Sequence, residues 1–217
     1  AVAVRQLTSQ ASGEFFVNGF GQTESKLLTA SFQTELENSD FIRFQVDDAY
    51  ELLNRPFAVA RTVTLPTGGY NFTSYTTTYV AGQQRRMSGT MSLQRGQFYN
   101  GDITAVGLSA ARIAITTRLS LEPSISLNRV HLPAGDFLTA LYRARTDYGF
   151  TPQMFASGLV QYSSNDRSFS SNVRFRWEYR PGSELFAVYA DERLTAGPTA
   201  GLRNRSIALK ITRLFRF

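Results

Sequence analysis

Cysteine is absent from the 217 residues, which excludes disulfides and thiolate chemistry and is compatible with an oxidising envelope. There is one histidine, His131, and lysine is confined to Lys26 and Lys210. No apolar run approaches the roughly 18 residues that a membrane-crossing helix needs, so a hydropathy average alone would describe a water-soluble chain. An opening secretory signal is also missing, as expected of a mature chain or a piece of a longer one.

What is present is alternation. The apolar fraction is 42%, with 17 Phe and 10 Tyr but a single Trp, and the net charge of +6 rests almost wholly on arginine. In the terminal stretch 205–217, Ile207, Leu209, Ile211, Phe215 and Phe217 fall on one face of a strand. Ser206, Ala208, Lys210, Thr212 and Arg216 fall on the other, because successive side chains leave opposite sides of an extended backbone. The same pattern recurs upstream, with Arg on the polar face and aromatics near the ends of the apolar one. In a transmembrane β-barrel lipid-facing and lumen-facing residues alternate in this way and cancel in any window average. The expected fold is therefore all-β, an antiparallel up-and-down transmembrane barrel of about 12 strands, each of roughly ten residues, or the carboxy-terminal part of a larger barrel.

Residues 1–13 read as a weak strand or lead-in, and 14–217 as the barrel, beginning with a second weak candidate at 14–20. Clearer strands follow at 26–36, 42–52, 70–80, 86–97, around 106–110, 119–128, 138–150, 154–162 and 169–180. A segment of uncertain phase, 185–190, precedes the terminal strand. Asp48 breaks the apolar face of its strand, Arg213 lies on the wrong face for lipid, and Pro123 predicts a bulge or local break. The connections 54–68, 131–136, 164–168 and 191–204 read as long, and 81–83, 114–117, 151–152 and 181–183 as short. With the last strand running inward, the long ones fall outside and the short ones inside, the barrel pattern. A further strand at 1–10 makes the count odd, so that stretch is then not a membrane strand, or the chain is part of a longer barrel.

Chemistry is sparse. His131 stands alone beside Pro133, so no metal or cofactor is expected. Asp47 with Asp48, or Glu178 with Asp191 and Glu192, are paired carboxylates of the type glycosidases use, but charge neutralisation accounts for them better. Ser164, Ser168, Ser170 and Ser171 lack a base at recognisable spacing, and Gly68-Gly69 precedes no helix that would hold a phosphate. No catalytic residue is expected. The candidate lumen charges are Arg143, Arg145, Asp147, Arg174, Arg176, Glu178 and Arg180, which either select anionic solutes or form an ion-paired plug. The candidate interfacial girdle is Tyr142, Tyr148, Phe150, Trp177, Tyr179, Phe215 and Phe217. Arginines spread along strands instead of clustering argue against nucleic acid. The partners a barrel implies are outer-membrane lipid and lipopolysaccharide, with a protein partner or upstream segment if the barrel is completed from outside this chain.

Leu209, Ile211, Phe215 and Phe217 together resemble the signal that barrel-insertion machinery reads in bacterial outer-membrane proteins. A wider set of stretches comprises Asn54-Arg-Pro-Phe57, Pro66-Thr-Gly-Gly-Tyr-Asn-Phe72, Gly96-Gln-Phe-Tyr-Asn-Gly101, Leu132-Pro-Ala-Gly-Asp-Phe137, Leu159-Val-Gln-Tyr-Ser163 and 172–189. Over 26–217, most specifically in the last third, this set resembles the carboxy-terminal domain of a widespread bacterial family of unknown function. In that family a carbohydrate-binding-like module precedes a large outer-membrane barrel. The module has no counterpart here, and the resemblance implies a non-enzymatic membrane anchor, scaffold or pore for polar or glycan-derived solutes. It also implies that this chain is part of a longer barrel, and it supplies no catalytic residues.

Overall fold

The computed structural model describes residues 3–198 and 200–215, and every regular element among them is a strand. In chain order these are β1 (Val4–Val17), β2 (Thr23–Leu36), β3 (Phe41–Leu53), β4 (Phe57–Ala60), β5 (Val63–Leu65), β6 (Gly68–Ala81) and β7 (Met87–Phe98). They continue as β8 (Gly101–Ala114), β9 (Leu119–Leu132), β10 (Gly135–Thr151), β11 (Met154–Ser163), β12 (Ser168–Arg180), β13 (Ser183–Leu194) and β14 (Gly201–Thr212). Twelve of them form one sheet in chain order, while β4 and β5 pair only with each other. By compact packing the chain divides into a first unit, Ala1–Ser109 with Ser126–Thr139, and a second, Ala110–Ile125 with Ala140–Phe217.

Antiparallel register carries the alternation of each strand into its neighbour, since residues that pair share a face. In the first unit Phe32 pairs Phe44, which pairs Thr77, which pairs Leu93; Ala30, Val46 and Tyr75 form the adjacent row. On the opposite face Gln33 pairs Arg43 and Thr29 pairs Asp47. That face is wired by polar contacts: Thr29 donates to Asp47 at 2.7 Å, Arg43 Nη2 to Gln33 at 2.6 Å and Gln94 to Ser74 at 3.1 Å. The second unit repeats the scheme. Ala156, Phe175, Ala187 and Leu209 make one apolar row, and Ser157, Arg174, Val188 and Ala208 the polar-face row beside it.

A polar latch ties the turn before β3 to the connection after β6. Asp40, 3% exposed, accepts the Gly82 N–H at 2.9 Å, the Tyr79 hydroxyl at 2.8 Å, Arg85 at 3.0 Å and Asn38 at 3.1 Å. These donors hold its carboxyl below the usual carboxylate range, the Gly82 N–H most and the Tyr79 hydroxyl next.

Several sequence expectations need correction. Among the described residues the sheet is not closed: β1 pairs only β2, and β14 only β13. Alternation specifies which face a side chain takes, not which strand lies beside the first and last. The lead-in and the weak candidate at 14–20 merge into β1, whose apolar face carries Leu7, Ala11 and Phe15 too sparsely to stand out. The stretch 191–204 is mostly strand, with β13 reaching Leu194 and β14 beginning at Gly201. Arg205 and Arg203 on β14 neutralise Asp191 and Glu192 on β13, and this extends the pairing. Likewise 131–136 contracts to a two-residue turn between β9 and β10, so the contrast of long and short connections is weaker than the sequence implies. A Cβ on Gly101 would collide with the His131 carbonyl, which explains the glycine where β8 starts. Pro123 does not break its strand, since β9 spans Leu119–Leu132 across it; proline's fixed φ is tolerated in a strand and forfeits one donor. At the other end regular structure stops at Thr212; residues 213–215 are irregular, and Phe217 lies outside the described residues.

Candidate functional site

The polar face of the second unit gathers most of the predicted lumen charges. Arg145 pairs Leu159, which pairs Asn172, so the odd positions of β10 share a face with the even positions of β12. Arg143, Arg145 and Asp147 therefore share a face with Arg174, Arg176 and Glu178, while a register shift after Glu178 pairs Arg180 with Ser183 and takes it out of that alternation. Their partners differ from the expected opposition across strands. Arg145 Nε meets Asp147 of its own strand at 3.1 Å, and Arg174 donates to Asn172 at 2.9 Å. Arg176 Nε reaches Glu184 on β13 at 2.7 Å. Glu178 instead accepts the Gly182 N–H at 2.9 Å and so caps the turn after β12. Glu184, missed in the sequence because 185–190 has no clear phase, is the acid that counters this wall.

On the apolar face of the same unit the predicted aromatics fall into two groups. Toward the β10–β11 and β12–β13 turns, Tyr148 and Phe150 meet edge to face at 4.7 Å, Phe150 and Phe175 at 6.4 Å, and Trp177 and Tyr179 at 6.0 Å. The Tyr179 hydroxyl donates to the Thr212 carbonyl at 3.0 Å. Midway along β10, Tyr142 stacks on Tyr162 near the end of β11 at 6.3 Å, and Tyr162 pairs Phe169 near the start of β12. Phe215 is exposed, with the Arg213 guanidinium 4.8 Å from its ring centre, which accounts for the misplaced arginine. Leu209 and Ile211 of the candidate insertion signal are exposed on the apolar face of β14. The acids on the apolar face of each unit are satisfied, Asp48 in the first and Asp191 in the second. Asp48 binds Lys26 at 3.2 Å and Thr73 at 3.1 Å, while Asp191 takes Arg193 at 2.7 Å and Arg205 at 2.9 Å.

The tightly buried apolar cluster lies in the first unit and on the polar face. The connection 54–68 folds back as the β4–β5 hairpin, with Val63 and Leu65 at 2% and 0% exposure. Beneath it lie Leu53, Tyr99, Val130 and Leu132, flanked by Tyr70, Phe72, Phe98, Ile103 and Phe137. Register puts Tyr70 and Phe72 opposite Glu51 and Ala49, on the side of Asp47 and Gln45. Phe98 shares the face of Gly96, which pairs Ser74. Tyr99 lies 4.8 Å from Phe98, 5.1 Å from Phe72 and 5.4 Å from Tyr70. Its hydroxyl donates to Glu51 at 2.7 Å, and burial, then the Glu51 carboxylate, pushes its phenol upward. The signal in the sequence was brief: Val63 and Leu65 alternate over only three residues.

The enzymatic candidates do not assemble. Asp47 and Asp48 project from opposite faces of β3, and Glu178 and Asp191 from opposite faces and opposite ends of β12 and β13. His131 Nδ1 lies 2.8 Å from Asp136; the Ser163 hydroxyl donates to Asp166 at 2.9 Å, and that of Ser164 accepts the Ala140 N–H at 2.7 Å. No metal-holding group of three His, Cys, Asp or Glu residues occurs among the described residues. No protein-family model, curated protein or solved structure matches the chain.

Proposed function

We propose that this chain is a non-enzymatic bacterial outer-membrane β-barrel protein, an anchor or scaffold whose polar face borders a wet lumen open to polar or glycan-derived solutes. The observation that carries this reading is the apolar face. Phe32, Phe44, Tyr75, Met91 and Leu93 are exposed there in the first unit, and Val160, Val173, Trp177, Ile207 and Leu209 in the second, within each unit in register from strand to strand. A soluble sheet would cover such a face with a second layer, and an exposed apolar surface this continuous marks a membrane or partner interface. The packed layer that does exist sits on the other side.

The aromatic groups fit the same reading. Tyr142 and Phe150 are about 26 Å apart along β10 at roughly 3.3 Å per residue. A strand tilt of about 40° brings this to about 20 Å, near the ~25 Å apolar band that aromatic girdles flank. Lipid and lipopolysaccharide are then the partners of that band, and the exposed end of β14 presents the insertion signal. The test is extraction and gel migration: detergent-dependent solubility and a heat-modifiable band are expected. A monodisperse, detergent-free monomer overturns the proposal, and labelling by an activity-based serine probe overturns its non-enzymatic part.

A second reading is favoured by the two unpaired sheet edges. In hydrocarbon an unpaired edge leaves N–H and C=O groups without partners, each at a cost of several kcal/mol, so β1 and β14 must pair with something. Either they pair with each other, or another segment or chain lies between them. Because the chain has no native cysteine, cysteine pairs placed on β1 and β14 decide. An intrachain disulfide supports self-closure, and cross-links only to another polypeptide support a composite barrel.

A further inference from the structure

We infer that the β4–β5 hairpin is a fixed inward cap that blocks hydrated solutes at one end of the first unit's polar face; this rests on the proposal that the polar face borders a lumen. The long connection in a barrel ordinarily extends into solvent or lies over a strand rim. Here it turns onto the side that carries Arg43, Gln45, Asp47 and Ser74. At that end the same face changes character: Leu53, Tyr70, Phe72, Phe98, Ile103, Val130 and Leu132 replace the polar residues on β3 and β6 to β9, and the hairpin covers them. An apolar patch inside a wet lumen has no solvation reason to exist unless something dry sits on it.

The seat is built for permanence. Leu65 is fully buried, the Tyr70 hydroxyl fastens the returning chain at the Pro66 carbonyl at 2.9 Å, and Phe57 adds a ring 6.4 Å from Tyr99. Gly135, where β10 begins, leaves the hairpin its space, since a Cβ there would lie 3.2 Å from Val63 Cγ2. The hairpin is seated through apolar contact, so it acts as a standing obstruction and not as a gate.

The experiment expresses the whole protein in the outer membrane of a Gram-negative host and measures sensitivity to vancomycin, which an intact outer membrane excludes. Replacing residues 57–65 by a short Gly-Ser linker is expected to raise uptake several-fold over wild type at equal amounts of folded, heat-modifiable protein. Equal uptake overturns the inference. In case the shortened variant fails to fold, single-cysteine variants Leu65→Cys and Arg61→Cys in the otherwise complete chain are labelled with a membrane-impermeant maleimide. Labelling at position 65 at least tenfold slower than at 61 is expected; equal rates overturn the seated hairpin. Recovery of the wild type in the soluble fraction would instead sink the membrane proposal itself, and with it any role in permeation, while leaving the labelling contrast intact.

Discussion

Leu65 and Ile207 are aliphatic residues on well-formed strands, yet one is 0% exposed and the other 78%. The first sits under a hairpin on the polar face of its sheet, the second on an apolar face with nothing over it. The difference teaches that hydrophobic residues here occupy two settings. A small protein-packed core holds the hairpin, and a broad apolar face stays uncovered. The sharpest way to test this contrast is to truncate both residues. Leu65→Ala in detergent should lower unfolding stability by about 2–5 kcal/mol, the usual cost of a large-to-small change in a core. Ile207→Ala should stay within about 0.5 kcal/mol, as for an exposed site. Equal losses by denaturant titration would break the comparison, because Ile207 would then have a protein neighbour.

A charge placed on each face of one strand comes next in size. Val173 is exposed near the middle of the β12 apolar row, while Asn172 next to it belongs to the polar face. If the apolar face meets hydrocarbon, Val173→Arg should cost about 2–4 kcal/mol in lipid vesicles, as for arginine near the bilayer midplane. Asn172→Arg should cost far less. In detergent-free buffer a soluble sheet would reverse the prediction and tolerate both. Refolding into vesicles under a urea gradient separates the two outcomes.

These two tests also mark what the sequence conveyed and what it did not. Faces were legible wherever apolar and polar residues alternate over eight or more positions, as in 169–180, because period two needs only local order. The charged exception at Asp48 was visible, but its resolution by Lys26 across strands was not, and Asp191 was hidden in a stretch that reads as a loop, where it pairs Arg205 on the neighbouring strand. The hairpin was hidden because its two strands are too short to show a period and its seat is assembled from single residues of several strands. The open edges were hidden for a different reason, since nothing in a strand's own pattern names its neighbour beyond the turn that follows it. Among the candidate lumen charges the shared face was legible, yet Glu184 was not, because the apolar Phe186 and Val188 on its own face blur the phase of β13.

A smaller effect concerns the latch around Asp40, which holds by polar contacts where the hairpin holds by apolar ones. Its carboxyl titrates below the ordinary range because the Gly82 N–H, then the Tyr79 hydroxyl, favour the charged form. A lowered folded-state pKa gives stability that is fully present above the unfolded value near pH ~4 and is lost as pH falls through the folded value. The stability difference between wild type and Asp40→Asn should therefore be constant from neutrality to about pH 4 and shrink below it. The difference between wild type and Leu65→Ala should not follow that course. A latch difference that persists unchanged to pH ~2 would show that the charge on Asp40 contributes nothing.

The smallest effect on stability, and the most informative for transport, is expected on the arginine wall. Arg176 and Glu184 form a half-exposed pair at 2.7 Å, of a kind worth about 0–1 kcal/mol, and Arg145 with Asp147 is similar. Reversing the arginines as Arg145→Glu with Arg176→Glu should therefore leave the unfolding midpoint nearly unchanged. If that face borders a conducting lumen, the same change replaces fixed positive charge by negative and should shift reversal potentials in a salt gradient from anion toward cation preference. Unchanged selectivity in channels that still conduct would mean that ions pass elsewhere. Because the double variant leaves the hairpin and its seat untouched, selectivity and occlusion can be read independently.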